Sequence, residues 1–202
     1  MPVRIDHYIA AISHSPLARW ADLAPWQLTA DSVSRVRALL PALGADYRIE
    51  GEIAVHCSAT VEPGAVLKGP LIIGPDCFIA AGAYLRGGNW LGERCIIGPG
   101  AELKSSFVFA GSKLAHFNFV GDSVLGEGVN LEAGSLICNY RNERADKAIR
   151  VRVVDQLHEL ECDKFGALLG DGVRVGANAV LAPGCLVAAH AVIARLSLCD
   201  QE

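Results

Sequence analysis

The sequence predicts an all-β fold, a parallel β-helix, and three observations predict it. An aliphatic residue recurs every six positions, first from Val55 to Leu103 and again from Leu169 to Ile193. Glycine often follows the recurring residue, and a small residue often stands two places before it. Hydrophobic residues make up 51% of the chain but aromatic residues only 6%, which suits a narrow interior of small and branched side chains.

The recurring aliphatic residues, called anchors below, fall into three runs. A strict step of six from Val55 continues to Phe109 and Ala115. The phase then slips within 114–122 and resumes at Phe119, Leu125 and Leu131. Each six-residue unit makes one short strand and one turn, and three units close a triangular coil of about eighteen residues. The anchors therefore predict about six stacked coils.

The anchors turn into the coil, together with the small residues two places before them. Each buried anchor removes apolar surface from water, which contributes about 1.5–3 kcal/mol, but the total is useful only when several coils stack. Six-residue repeats of this kind wind with a left hand, an exception to the right-handed crossover rule. The class of repeat, rather than the spacing, predicts a left-handed β-helix.

Residues 1–48 are predicted to form a helical appendage to the β-helix, which spans 49–198. Ser15, followed by proline, is typical of a helix start. Asp31 is placed to cap a helix over Ser32–Leu40, which a proline ends. We expect this appendage to cover the open end of the β-helix, where backbone groups would otherwise be unpaired.

Residues 138–168 are predicted to be an insertion in the β-helix. Ile149, Val151 and Val153 alternate there with two arginines, a period of two that is typical of a strand. Polar residues follow, so we expect a hairpin or loop extruded from one corner. In repeat proteins such insertions commonly lie at the binding face.

Charge and composition exclude several classes of protein. The net charge is −4 without a long basic run, which argues against a nucleic-acid partner. No apolar run approaches the about 20 residues needed to cross a bilayer, and no secretory pattern begins the chain, so we expect a cytoplasmic protein with no membrane partner. The seven cysteines form no Cys-x-x-Cys pair, as expected of reduced thiols. Cys77, Cys95 and Cys185 stand where alanine recurs, and we expect them to be small buried residues.

His116 lies beside the phase slip and is a candidate for chemistry. An imidazole with an unperturbed pKa of about 6.5 suits proton transfer at neutral pH. An ordinary surface or core histidine is the alternative. On the residues alone, Arg86 and Lys104 could likewise be solvated corner residues, and Asn130 could cap a turn.

Several stretches carry a resemblance to a known family. They are Tyr84–Gly88, Glu102–Lys104, Lys113–His116, Val120–Leu131, Ala133–Tyr140 and Phe165–Asp171. Over this region the chain resembles the acetyltransferase half of bifunctional glucosamine-1-phosphate acetyltransferase/N-acetylglucosamine-1-phosphate uridylyltransferases. It resembles the C-terminal half of archaeal-type sugar-phosphate nucleotidylyltransferases more closely.

The resemblance implies an N-acyltransferase that moves an acetyl group from acetyl-CoA, its co-substrate, to the amine of an amino-sugar 1-phosphate, without a metal. His116 would be the general base. Arg86 would hold the sugar phosphate by a bidentate fork, and Lys104 would hold it as a point charge. The groups that would hydrogen-bond the sugar hydroxyls and the amine or N-acyl group are Asn130, Asn139 and Tyr140.

The same resemblance implies contacts with the acyl donor and between subunits. Backbone groups of Ala133 and Ala177 would face the pantetheine arm. A third basic ligand would follow the Asn-Tyr pair, and both Arg144 and Lys147 remain open for it. The family also implies a homotrimer whose active site lies between subunits.

The chain departs from the family's pattern in ways that support a second hypothesis. Phe119 stands where the family usually has tyrosine, and Glu132 stands where it usually has glycine. Residues 1–44 hold no glycine-rich nucleotide loop, so we expect no uridylyl transfer by this chain. The second hypothesis is a non-catalytic sugar-nucleotide-binding or scaffold protein. A third, a zinc-dependent hydratase, needs three histidines around one metal, and no close pair of histidines lies near His116.

Overall fold

The structure, a computed structural model that describes residues 3–202, is the left-handed parallel β-helix predicted from the sequence. Three sheets form the sides of a prism and are called faces 1, 2 and 3, in the order in which the chain meets them. Face 1 contains β1 (Tyr47–Glu50), β2 (Ile53–His56), β5 (Leu71–Ile73), β8 (Asn89–Leu91), β11 (Phe107–Val108), β14 (Val124–Leu125), β19 (Ala167–Leu169) and β22 (Cys185–Val187).

The other two faces are built from shorter strands. Face 2 contains β3 (Thr60–Val61), β6 (Phe78–Ile79), β9 (Ile96–Ile97), β12 (Lys113–Leu114), β15 (Asn130–Leu131), β20 (Arg174–Val175) and β23 (Val192–Ile193). Face 3 contains β4 (Val66–Leu67), β7 (Tyr84–Arg86), β10 (Glu102–Lys104), β13 (Phe119–Gly121), β16 (Leu136–Ile137), β21 (Val180–Leu181) and β24 (Leu198–Cys199).

Each face carries seven parallel strands, so the chain makes seven coils where the anchors predict about six. The eighth strand of face 1, β1, pairs antiparallel with β2 at the sheet edge. Strands one coil apart pair in register, and Leu103 lies opposite both Leu85 and Val120. Like residues therefore stack along the interior, which gives the repeat its stabilising effect.

The step of six fails at one corner of the prism, between faces 3 and 1. In the interior, Val108 follows Leu103 after five residues, and Leu125 follows Val120 after five. The single slip predicted within 114–122 is thus two shortened corners.

The two shortened corners change the identity of three anchors. The predicted anchors Phe109, Ala115 and Phe119 are wrong, and the interior positions belong to their neighbours Val108, Leu114 and Val120. At each shortened corner a residue with positive φ makes the tighter turn, Ser105 (φ 50°) in one coil and Asp122 (φ 47°) in the next. A strict period of six in the sequence does not reveal a corner that is one residue shorter.

Small residues two places before the anchors also point inside, as predicted. Cys77, Cys95 and Cys185 are each at most 1% exposed. Where the inner residue is polar, it is hydrogen-bonded along the stack: the Ser123 N–H donates to Ser106 Oγ at 3.0 Å, and the Ser106 N–H donates to Asn89 Oδ1 at 2.9 Å. These bonds satisfy polar groups that would otherwise be buried without partners.

From residue 3 onward, where the structure describes it, the N-terminal segment contains two helices and four 3₁₀ turns. The helices are α1 (Pro25–Ala30) and α2 (Ser32–Leu39), and the 3₁₀ turns are Ile5–His7, Ala10–His14, Ala18–Trp20 and Leu40–Ala42. Asp31 precedes α2, but its side chain makes no capping hydrogen bond, so the predicted cap is wrong. The Ser15 hydroxyl accepts the Leu17 N–H at 3.1 Å and begins a turn.

Most of the appendage covers the outer side of face 1 and not the open end of the β-helix, where it was expected. At the open end, its last residues, Tyr47 and Arg48 of β1, pair with the end strand β2. Its apolar residues pack against the outward side chains of face 1 from successive coils, which are Ala54, Ile72, Trp90, Phe107, Val124, Leu168 and Leu186. A stack of apolar side chains along a whole face would be a large exposed patch without a cover. The covering layer removes that patch from water.

Of the hairpin or loop predicted for the insertion, the structure shows a hairpin, formed by β17 (Arg150–Val153) and β18 (Gln156–Glu159). Its turn residues, Val154 and Asp155, both have positive φ, as a tight two-residue hairpin turn requires. Ile149 and Val151 are fully buried against the outer layer on face 1. The hairpin is therefore packed onto the β-helix.

A buried arginine fastens the base of the insertion. The Arg141 side chain is 1% exposed. Two of its N–H groups donate to Asp200 at 2.8 Å, and one donates to Glu202 at 3.1 Å. A buried guanidinium needs such partners to offset its lost hydration, so the segment 138–144 is held against the last coil.

Candidate functional site: a basic pocket beside the insertion

A pocket of 660 Å³ lies between face 3 and the insertion. It is lined by Arg86, Lys104, Phe119, Asn139, Tyr140, Lys147, Asp163 and Lys164. Five of the nine site residues predicted from the sequence are in this lining. Four of the lining side chains are cationic, so the pocket is suited to an anionic ligand.

The β-helix stacks the two basic residues of face 3. Lys104 on β10 lies opposite Arg86 on β7 and opposite Gly121 on β13, so the three positions are neighbours one coil apart. Gly121 has no side chain, and a Cβ there would lie 2.8 Å from Cγ of Asn139. The glycine therefore leaves the space into which the insertion brings Asn139.

Both Arg86 and Lys104 form ion pairs with carboxylates of neighbouring residues. Arg86 Nε donates to Glu102 at 2.8 Å, and Lys104 Nζ donates to Asp122 at 2.7 Å. The Lys104 side chain is only 16% exposed. Lys104 is thus fixed in the pocket wall and is not a freely solvated corner residue.

The start of the insertion forms the opposite wall. Asn139 Nδ2 donates to Asp122, which also holds Lys104. Lys147 Nζ lies 5.5 Å from the centre of the Tyr140 ring and donates to the backbone oxygen of Asn142 at 2.8 Å. A cation over an aromatic face stabilises both groups.

The alternatives for the third basic ligand differ in position. Lys147 lines the pocket, whereas Arg144 forms an ion pair with Glu202 at the base of the insertion. Sequence reasoning missed two lining residues, Asp163 and Lys164. Their only sequence signal is a charged pair just before the buried Phe165, where the chain returns to face 1.

His116 is exposed and lies at the turn between faces 2 and 3. Its backbone oxygen accepts the Gly134 N–H at 2.9 Å, and its imidazole makes no hydrogen bond within residues 3–202. It precedes β13, whereas Arg86 and Lys104 end β7 and β10, and it is not in the pocket lining. The residues that line this pocket therefore include the predicted phosphate ligands but not the predicted base.

Asn130 lies in a second depression, of 300 Å³, on face 2, together with Glu132, Arg174 and Arg195. Glu132 forms a bidentate ion pair with Arg195, with both contacts at 2.8 Å. Its carboxylate also accepts the Ala177 N–H at 2.8 Å. The Arg195 hydrogen bond, followed by the Ala177 N–H, lowers the pKa of Glu132.

Three of the four backbone groups of Ala133 and Ala177, which are predicted to face the pantetheine arm, are engaged within the chain. The Ala177 N–H is taken by Glu132, and the Ala177 oxygen accepts the Leu196 N–H at 3.0 Å. The Ala133 oxygen accepts the Asn178 N–H at 3.0 Å. A ligand that uses the Ala177 N–H must first displace Glu132.

Among residues 3–202, no group of three or more His, Cys, Asp or Glu side chains is placed to hold a metal ion. No helix in that part of the chain is long and apolar enough to span a membrane.

This protein is thus a β-helix with a basic pocket between one face and an insertion. Known proteins are similar in sequence to part of the chain. A bifunctional sugar-1-phosphate nucleotidylyltransferase/acetyltransferase of Sulfurisphaera tokodaii is 40% identical over 92 residues, which are 46% of this chain and 22% of that protein. The bifunctional protein GlmU of Heliobacterium modesticaldum is 33% identical over 141 residues, which are 68% of this chain and 27% of that protein. No protein-family model matches the chain.

These matches confirm the predicted resemblance: part of the chain is homologous to bifunctional sugar-phosphate nucleotidylyltransferase/acetyltransferases. The chain spans about a quarter of the length of these relatives. Among solved structures, PerB from Caulobacter crescentus, in complex with CoA and GDP-perosamine, is 22% identical over 73% of this chain and 51% of that chain, with a TM-score of 0.29. A TM-score at that level supports no conclusion about this chain.

Proposed function

We propose that this protein is an acyl-CoA-dependent N-acyltransferase that acts on an amino-sugar phosphate, with glucosamine 1-phosphate as the first substrate to test. The observation that carries the proposal is the basic pocket, where stacked Arg86 and Lys104 face Asn139 and Tyr140 of the insertion. A planar guanidinium and an ammonium together suit a sugar phosphate. An amide and a phenol suit sugar hydroxyls and the amine.

In the proposed reaction, the amine of the sugar attacks the thioester carbonyl of the acyl-CoA. A new C–N bond forms and the C–S bond breaks, so that the CoA thiolate leaves. His116 accepts the proton that the amine loses and returns it to the departing thiolate, as a general base and then a general acid. Holding both substrates in register supplies the remaining acceleration, and no step requires a metal.

The proposal includes a homotrimer, because His116 is not among the residues that line the basic pocket of its own chain. Face 1 is covered by the appendage, so faces 2 and 3 are the surfaces left for association. The outward side chains of β13, β16 and β21 on face 3 are apolar: Phe119, Leu136 and Val180. Packing of a neighbour against this face would bring its His116 toward the pocket.

The first experiment is a thiol-release assay with acetyl-CoA and a panel of amino-sugar phosphates. We expect His116→Ala to lower kcat by about 10²–10⁴-fold and to leave the affinity for the sugar phosphate within about twofold of wild type. His158→Ala, an exposed histidine on β18, is the matched control. If no amino-sugar phosphate leads to CoA release, the catalytic proposal is refuted.

A complementation experiment tests the shared site. Arg86→Ala and His116→Ala chains are each expected to be inactive. Mixed trimers of the two contain some sites with an intact Arg86 from one chain and an intact His116 from its neighbour, so activity returns on mixing. If each site lies within one chain, every site keeps one defect and mixing restores nothing.

The Glu132 contacts favour a second candidate function, a sugar-nucleotide-binding or scaffold protein without turnover. Glu132 and Arg195 close the second depression, and Glu132 occupies the Ala177 N–H. In an enzyme that uses this N–H for the acyl donor, Glu132→Gly lowers the KM for acetyl-CoA, because the N–H becomes free. In a scaffold, both the variant and the wild type release no CoA although they bind the sugar ligand.

A further inference from the structure

Asp122 lies behind the basic pocket and holds two of its walls together. Its carboxylate accepts hydrogen bonds from Lys104 Nζ at 3.0 and 2.7 Å and another from Asn139 Nδ2. Lys104 belongs to face 3, whereas Asn139 belongs to the insertion. Asp122 therefore joins the two walls through one carboxylate, and its side chain is only 8% exposed.

The backbone of Asp122 makes the same connection. Its N–H donates to the Lys104 oxygen at 2.8 Å, and its oxygen accepts the Gly166 N–H at 2.9 Å. Phe165, next to Gly166, donates its N–H to the Asn139 oxygen at 3.1 Å. Residues near the two ends of the insertion, Asn139 and Gly166, thus both bond to Asp122.

The position needs both an unusual backbone conformation and a negative charge. Asp122 has φ 47°, in the left-handed region that only glycine, asparagine and aspartate visit readily. The ammonium of Lys104 is mostly removed from water, so it needs a counter-charge nearby. A carboxylate offers two acceptor oxygens to two donors at once, which an amide does not.

We propose that Asp122 is a positioning residue, which sets the distance and orientation between the Lys104 ammonium and the Asn139 amide for binding of the sugar phosphate. The inference rests on the proposed function for the identity of the ligand. Asp122 touches neither substrate nor the reacting atoms in this assignment. It acts through the two side chains that it holds.

The test compares Asp122→Gly, Asp122→Asn and the matched control Asp76→Gly. Glycine removes the carboxylate but accepts the positive φ, so the coil can keep its shape. Asparagine keeps one acceptor oxygen. Asp76 also has positive φ (55°) and is exposed at a corner remote from the pocket, so its replacement reports on the generic effect of the substitution.

Three quantities are measured on each protein: the Kd of glucosamine 1-phosphate by calorimetry, the separate KM values of glucosamine 1-phosphate and acetyl-CoA, and the Tm. We expect Asp122→Gly to raise the Kd and KM of the sugar phosphate by about tenfold to 100-fold, with the KM of acetyl-CoA within about twofold. Asp122→Asn falls between Asp122→Gly and wild type. Asp76→Gly behaves as wild type.

The outcomes separate this inference from the proposed function. If the wild type binds glucosamine 1-phosphate without releasing CoA, the proposed activity fails, and a weaker Kd in Asp122→Gly still supports the positioning role. If Asp122→Gly and Asp122→Asn bind the sugar phosphate as wild type does, the inference is overturned even when turnover is present. It is also overturned if both KM values rise together, or if the wild type does not bind the sugar phosphate.

Discussion

The ion pair between Arg141 and Asp200 permits a quantitative prediction. Asp200→Asn keeps the shape of the side chain but removes the charge that faces a guanidinium with 1% exposure. Loss of one partner of a buried pair costs about 3–5 kcal/mol. Glu202 remains 3.1 Å from the guanidinium and offsets part of this loss, so we expect about 2–4 kcal/mol. For a chain of this size that lowers the Tm by about 5–15 °C.

Two assays test that number. Thermal unfolding and urea unfolding give the change in stability, and hydrogen exchange shows whether segment 138–144 loosens first. Asp146→Asn is the matched control, because Asp146 pairs with Arg150 at 2.7 Å but its side chain is 60% exposed, and exposed pairs contribute little. Equal melting of Asp200→Asn and Asp146→Asn would refute the argument that burial gives the Arg141 pair its strength.

Three further predictions follow from the same contacts. The Arg141 hydrogen bond lowers the pKa of Asp200. The stabilisation that this carboxylate gives is therefore present above its unfolded pKa of about 3.9 and is lost as the pH falls through the lower folded value. When the Tm is measured against pH, Asp200→Asn should lose less stability in acid than the wild type does. Asp171 accepts two backbone N–H groups at 2.9 and 2.8 Å, one of them from the appendage, so Asp171→Ala should destabilise by about 2–4 kcal/mol and speed hydrogen exchange in residues 5–14. Gly121→Ala should displace Asn139 and raise the KM of the sugar phosphate with little change in Tm, because the atoms that the new methyl group crowds belong to side chains. Gly44→Ala is its control, because the added carbon there meets nothing within 4 Å. Equal KM values in the two variants would contradict the prediction.

The sequence predicted some residues of the candidate site and missed others, and the difference has a physical cause. Arg86 and Lys104 lie at the same place in successive coils, so their proximity follows from the period. Asn139 and Tyr140 come to them because the insertion starts at the same corner. His116 lies two residues beyond an anchor on another edge, and no local pattern says whether one chain or two complete the site. Glu132 pairs with Arg195 only after the coils are stacked. Asp163 and Lys164 likewise line the basic pocket only once the chain has folded.

The sequence by itself determined the β-helix, its interior of aliphatic and small residues, the strand that contains Val151 and Val153, and the burial of Cys77, Cys95 and Cys185. These features depend on the alternation of apolar and polar residues along the chain, which is a local property. Tertiary structure alone decided where the turns shorten, at Ser105 and Asp122, and which surface the appendage covers. Those outcomes depend on how residues from distant coils fit together, because the apolar outer side of face 1 exists only once seven coils are stacked.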